Sequence, residues 1–178
     1  MNLKSISGYL TILFLSFFLH AVKPSNHGFH SALPVIMIIY PVAVGHKVKI
    51  RFSPKDFAIG AAVSVIILLP YYFIRGGDLQ RISAYFVILQ LLSVSLPEEF
   101  FFRGFLQDSA GRHFRAVLFV SLLFSFAHLP KAVFLGEWIS LLSFFPSIVM
   151  GWLYMKTNNI LPGTLFHLFS NIVHQSAL

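Results

Sequence analysis

Glu98, His128, His167 and Asn171 are the side chains of this sequence best suited to chemistry, because each is a polar, hydrogen-bonding group set in an apolar run. A carboxylate can take a proton from water, a neutral imidazole can assist it, and an asparagine amide can hold a developing negative charge. Those three types of group suffice for hydrolysis of an amide. Placing them there is costly, since one charge at the centre of a membrane helix costs about 2.5–3.5 kcal/mol on insertion scales. The stretch LLSVSLPEEFFFRGFLQ, residues 91–107, nevertheless carries Glu98, Glu99 and Arg103.

Spacing separates their roles. Glu99 and Arg103 are i,i+4 with the acid first, the favourable order for an intrahelical pair, and this gives them a structural, positioning role. Glu98 is turned about 100° around the helix from Glu99, so the arginine that neutralises one acid need not cover the other. His167 and Asn171 are also i,i+4 and point the same way, while Phe124 stands one turn before His128 on its face. Ser95 and Ser170 make poor nucleophiles, since neither shows a paired base. The remaining histidines, His20, His27, His30, His46 and His113, fall at helix ends or in loops and read as solvated or interfacial, as does His174 near the membrane exit.

The elements that must carry these groups follow from composition. Of 178 residues, 57% are hydrophobic and only 11% charged, where a soluble domain has about 25% charged. This implies an all-α, polytopic transmembrane bundle of about seven helices, forming a single membrane domain over residues 1–178. The apolar runs lie at about 6–22, 31–46, 57–74, 82–107, 115–130, 138–155 and 159–175. The first three fill an N-terminal half, 1–81, that holds no diagnostic motif, and residues 82–175, with the other four, form the candidate catalytic core. The second run, with Pro34 and Pro41, reads as kinked, tilted or re-entrant rather than a plain span. The first reads as a retained helix, since no A-x-A cleavage site follows it. Pro146 and Gly151 should weaken the sixth and let it bend. The lack of cysteine excludes disulfides, thiolate metal sites and cysteine nucleophiles.

The net charge of +7 sits in short loops, which points to membrane orientation and not to nucleic acid. Lys4, Lys47, Lys49, Arg51, Lys55, Arg112, Arg115 and Lys156 fall on one side, against Lys23, Arg75, Arg81 and Lys131 on the other. That bias predicts a cytoplasmic N-terminus. At about 1.5 Å of rise per residue from the surface near 109–114 and 156–158, Glu98 lies about 16 Å deep, His128 and Asn171 about 20 Å and His167 about 14 Å. Three helices thus bring their costly groups to one slab, and a shared polar cavity is the economical explanation.

EEFFFR at 98–103, FSFAH at 124–128 and HLFSN at 167–171 resemble, in order and spacing, the EExxxR, FxxxH and HxxxN motifs of the CAAX protease and bacteriocin-processing family, the glutamate-type intramembrane proteases. The resemblance implies an intramembrane endopeptidase acting on a membrane-associated peptide or lipidated protein tail, by a CAAX-type, leader-peptide or sorting-signal cleavage. It implies that Glu98 and His128 activate a water and that His167 and Asn171 hold the oxyanion; without an HExxH spacing, no cofactor is expected. Members commonly have eight spans. Two His and a Glu, here His128, His167 and Glu98, could instead hold a divalent metal such as zinc, although no HExxH spacing is present. A transporter or proton relay and a non-catalytic immunity protein are the other functional classes open to buried Glu and His. The expected setting is a prokaryotic inner membrane, with the bilayer and a peptide substrate as partners.

Overall fold

The structure, a computed structural model, describes residues 1–22, 31–79 and 82–176. Among the described residues the chain is all-helical. Seven helices follow one another: α1 Leu3–Val22, α2 Ala32–Ala43, α3 Pro54–Arg75, α4 Ala84–Ala110, α5 Phe114–Leu135, α6 Trp138–Thr157 and α7 Leu161–Ser176. All except α2 and α7 are long and apolar enough to cross a membrane. Large apolar side chains such as Phe14, Ile66, Ile74, Ile139 and Phe145 face outward, which is the surface a bilayer solvates. The protein is an integral, multi-pass membrane bundle.

Helix α2 is short, in keeping with the reading of 31–46 as something other than a plain span. Its 12 residues span only about 18 Å of a hydrocarbon core of about 30 Å. It still turns back along α1, because Lys4 Nζ donates to the Val44 carbonyl at 3.1 Å. Further contacts gather the same ends: Lys49 pairs with Asp108 at 3.3 Å, and Arg51 donates to the Thr157 carbonyl at 2.7 Å. At the opposite end the Asp78 amide donates to the Ser176 carbonyl at 2.9 Å. Lys23, His27, His30 and Arg81 lie outside the described residues.

Helix α4 is the central element, and its local sequence explains its shape. Pro97 has no N–H, and its ring crowds the carbonyl of Ser93, four residues back. The helix absorbs this by widening into π turns over Leu91–Ser95 and Phe100–Gln107, a device frequent at functional sites. Residues 101–107 are buried on every side, and Phe101, Phe102, Phe105 and Leu106 form the core with Phe124, Met150, Leu153 and Phe166. The extended segment after α2 lies across this helix. Val48 packs so closely on Gly104 that a Cβ there would be 2.4 Å from its methyl group.

Two histidines near helix ends are less exposed than expected. His46 is half-buried: its Nε2 donates to the Gly104 carbonyl at 2.8 Å and lies 3.5 Å from Asp108. His20 is buried, with Nδ1 2.8 Å from the Ser16 carbonyl one turn earlier. His113 and His174 are exposed as the sequence implies, His113 capping the start of α5.

Helix α6 is α-helical through Pro146 and Gly151. Pro146 falls in the first α-helical turn after a 3-10 lead-in over Trp138–Ser143, where a missing N–H leaves no intrahelical bond unmade. Gly151 is a close-packing position: a Cβ there would come within 2.9 Å of both Gln107 and Val117.

Candidate active site

Glu98 and Glu99 lie on the short α-helical step between the two π turns of α4. Glu99 Oε2 is 3.3 Å from Arg103 Nε, and both side chains are 0% exposed. Arg103 also donates to the Ser147 hydroxyl at 2.9 Å and lies over the Phe124 ring, 5.2 Å from its centroid. The i,i+4 pair of the sequence is therefore a fully buried ion pair, lodged between α5 and α6. Its acid is reached from α7 as well. A Cβ at Gly163 would stand 2.6 Å from Glu99 Oε2, so glycine is what lets that carboxylate approach the helix.

Helix α7 brings His167 between the two glutamates. Nε2 lies 3.7 Å from Glu98 Oε2 and Nδ1 lies 3.5 Å from Glu99 Oε1. The Glu98 side chain is 19% exposed against 0% for Glu99, so Glu98 is the carboxylate with access to a ligand. The contact between Glu99 and His167 was not legible in the sequence, where Glu99 answered only to Arg103.

His128 stands at the break in α5, not within a continuous span ending near 130. Pro130 leaves the Phe126 carbonyl without its helical donor, the His128 amide turns to Ser125 at 3.0 Å, and the helix resumes at Leu129–Leu135. The Phe124 carbonyl, which can only accept, lies 2.9 Å from His128 Nδ1. Nδ1 therefore carries the proton, and the lone pair of the neutral ring is on Nε2. Phe124 links the two imidazoles, with ring centroids 4.9 Å from His128 and 5.9 Å from His167.

Asn171 is one turn along α7 from His167, but it is held by a residue the sequence reading overlooked. Its Nδ2 donates to Gln90 Oε1 at 2.9 Å, which fixes one amide proton and leaves the second for a ligand. Gln90 could have been found as the one amide in the apolar stretch before Glu98. Gln107 was overlooked too: it is 0% exposed and donates to the Gly151 carbonyl at 2.8 Å, extending the polar stripe of Glu99 and Arg103 by one more turn.

The arrangement thus offers an accessible carboxylate, an imidazole with an oriented lone pair, and two N–H donors. A model of the family described as type II CAAX prenyl endopeptidase Rce1-like matches residues 80–173. The chain belongs to this family. Searches of curated proteins and of solved structures found no match. The matched segment runs from the loop before α4 to nearly the end of α7, and so covers every site residue named above. CAAX-type endopeptidases are proteases, so membership places this membrane protein with the hydrolases.

Among the described residues, no group of three His, Asp or Glu side chains is disposed to hold a metal ion.

Proposed function

We propose that this chain is an intramembrane endopeptidase that cleaves a peptide bond near the end of a prenylated or otherwise membrane-held polypeptide, with Glu98 as the general base. The observation that carries the proposal is the 3.7 Å approach of Glu98 Oε2 to His167 Nε2, made by the one carboxylate of the buried cluster that keeps access to a ligand. Water bound at Glu98 gives its proton to the carboxylate as its oxygen attacks the carbonyl carbon, with the Nε2 lone pair of His128 accepting a hydrogen bond from the same water. The carbonyl oxygen becomes an oxyanion held by the N–H of His167 and the free amide proton of Asn171. As the C–N bond breaks, the proton held by Glu98 passes to the leaving nitrogen. The products are a new carboxylate and a free amine.

Glu99 and Arg103 take no proton in this scheme. They fix the step of α4 that presents Glu98, and Glu99 lies against the other edge of the His167 ring. The family match supports a protease and lends nothing to the relay or immunity readings. The gathering of Lys4, Lys49, Arg51 and Lys156 at one end of the bundle supports a cytoplasmic N-terminus.

The reading is tested by incubating the purified full chain, in detergent, with matched farnesylated and unlipidated C-terminal peptides and identifying products by mass. Release of a short C-terminal peptide from the farnesylated substrate, with a new carboxylate on the lipidated fragment, is expected. Cleavage of the unlipidated peptide alone would overturn the substrate assignment.

A further inference from the structure

Away from the catalytic cluster, the start of α3 and the end of α6 enclose a cavity of about 560 Å³ lined by Arg51, Ser53, Lys55, Asp56, Lys156 and Thr157, among others. Three cations face one carboxylate there, and that carboxylate is already engaged. Asp56 is buried, accepts from Asn159 Nδ2 at 3.0 Å and lies 3.5 Å from Arg51. Lys55 and Lys156 are exposed and pair with no carboxylate among the described residues; the Lys156 ammonium rests 6.0 Å from the centre of the Trp152 ring. The N-terminus of α3, capped by Ser53, adds its positive end to the same space.

One turn further in, Val63 follows Ile59 on α3 and Trp152 precedes Lys156 on α6. There a second cavity of about 290 Å³ opens, walled only by apolar side chains, including Val63, Ile66 and Ile67 of α3 with Ile148, Val149 and Trp152 of α6. Both helices pack chiefly on other elements, α3 on α7 and α6 on α5 and α7, which leaves a furrow between them. Phe52, 86% exposed at the rim, is an interfacial anchor.

A cationic cup at the membrane surface above an apolar furrow that runs into the bilayer matches an amphiphile with an anionic head. We propose that this site binds one anionic phospholipid selectively, its phosphate held by Lys55, Lys156 and Arg51 and an acyl chain lying between α3 and α6. A basic pocket between helices suits such headgroups, and each basic residue near the surface contributes about fivefold in affinity. A free phosphate would use the cup but not the furrow. Asn159, held by Asp56 in the wall of the cup, also accepts from the Leu161 amide at 3.3 Å. The lipid therefore sits beside the residue that sets the first turn of α7, the helix of His167 and Asn171.

Native mass spectrometry of the purified full chain, titrated with phosphatidylglycerol or phosphatidylcholine, tests the proposal. One tightly retained phosphatidylglycerol is expected, with phosphatidylcholine weaker. Lys55→Gln/Lys156→Gln should lower the preference about thirtyfold, while Lys55→Arg/Lys156→Arg should keep it and so separate loss of charge from loss of fold. Dihexanoyl phosphatidylglycerol should displace the bound lipid where glycerol 3-phosphate at the same concentration does not. Equal retention of both lipids, an unchanged preference in the Gln variant, or displacement by glycerol 3-phosphate as efficient as by the short-chain lipid would each overturn it.

Discussion

Replacing Glu99 by glutamine isolates the part of the cluster that we assign to architecture. The change keeps volume and removes the paired countercharge of Arg103, whose side chain is 0% exposed and which otherwise donates to the Ser147 hydroxyl and lies over the Phe124 ring. Breaking a buried ion pair by removing one partner costs about 3–5 kcal/mol. The retained hydroxyl and ring contacts place this case near the lower end, about 3 kcal/mol. For a chain of this size each kcal/mol lowers Tm by about 2–4 °C, so a fall of about 6–12 °C is expected for Glu99→Gln. Thermal unfolding in one detergent, followed by intrinsic fluorescence, measures it. The double variant Glu99→Gln/Arg103→Met removes the stranded charge as well and should recover most of the loss. A Tm within 2 °C of the parent for Glu99→Gln, or a double variant as unstable as the two single losses combined, would refute the reasoning.

Gly163→Ala places a methyl group 2.6 Å from Glu99 Oε2 and should destabilise the bundle by about 1–3 kcal/mol, measured in the same unfolding assay. Asn171→Ala should lower kcat about 10²–10³-fold with a smaller change in KM, the usual loss for one oxyanion donor. Gln90→Leu frees Asn171 from its 2.9 Å hydrogen bond and should lower kcat by less than Asn171→Ala does. Steady-state kinetics on one fluorogenic peptide ranks the two. Thorough chelation should leave cleavage intact, whereas activity lost to chelator and restored by zinc would transfer Glu98, His128 and His167 to metal ligation.

The sequence carried the parts of this site that depend on one helix at a time. The i,i+4 spacing of Glu99 and Arg103 and the rise per residue needed no tertiary knowledge, and they place the ion pair and bring Glu98 and His167 to one depth. What was not legible depends on the partner helix. Ser147 and Gly163 look unremarkable within α6 and α7, and their meaning appears only when Arg103 and Glu99 lie against them. The π turns of α4 escaped because widening is the response of a packed helix to Pro97, and a lone Pro reads equally well as a kink. Closeness to a helix end does not imply exposure for His20, which is buried, or for His46, where the chain after α2 folds back over Gly104.

The central claim is that Glu98 is the base, and one comparison tests it most directly. Initial rates of cleavage of a farnesylated C-terminal peptide are measured for the parent and for Glu98→Gln, both purified in the same detergent after the same chelator dialysis. Glutamine keeps the shape and the contact with His167 while removing the proton acceptor, so Glu98→Gln should unfold within about 2 °C of the parent yet cleave at least about 10³-fold more slowly. A correctly folded Glu98→Gln protein that cleaves the peptide at the parental rate would contradict the account.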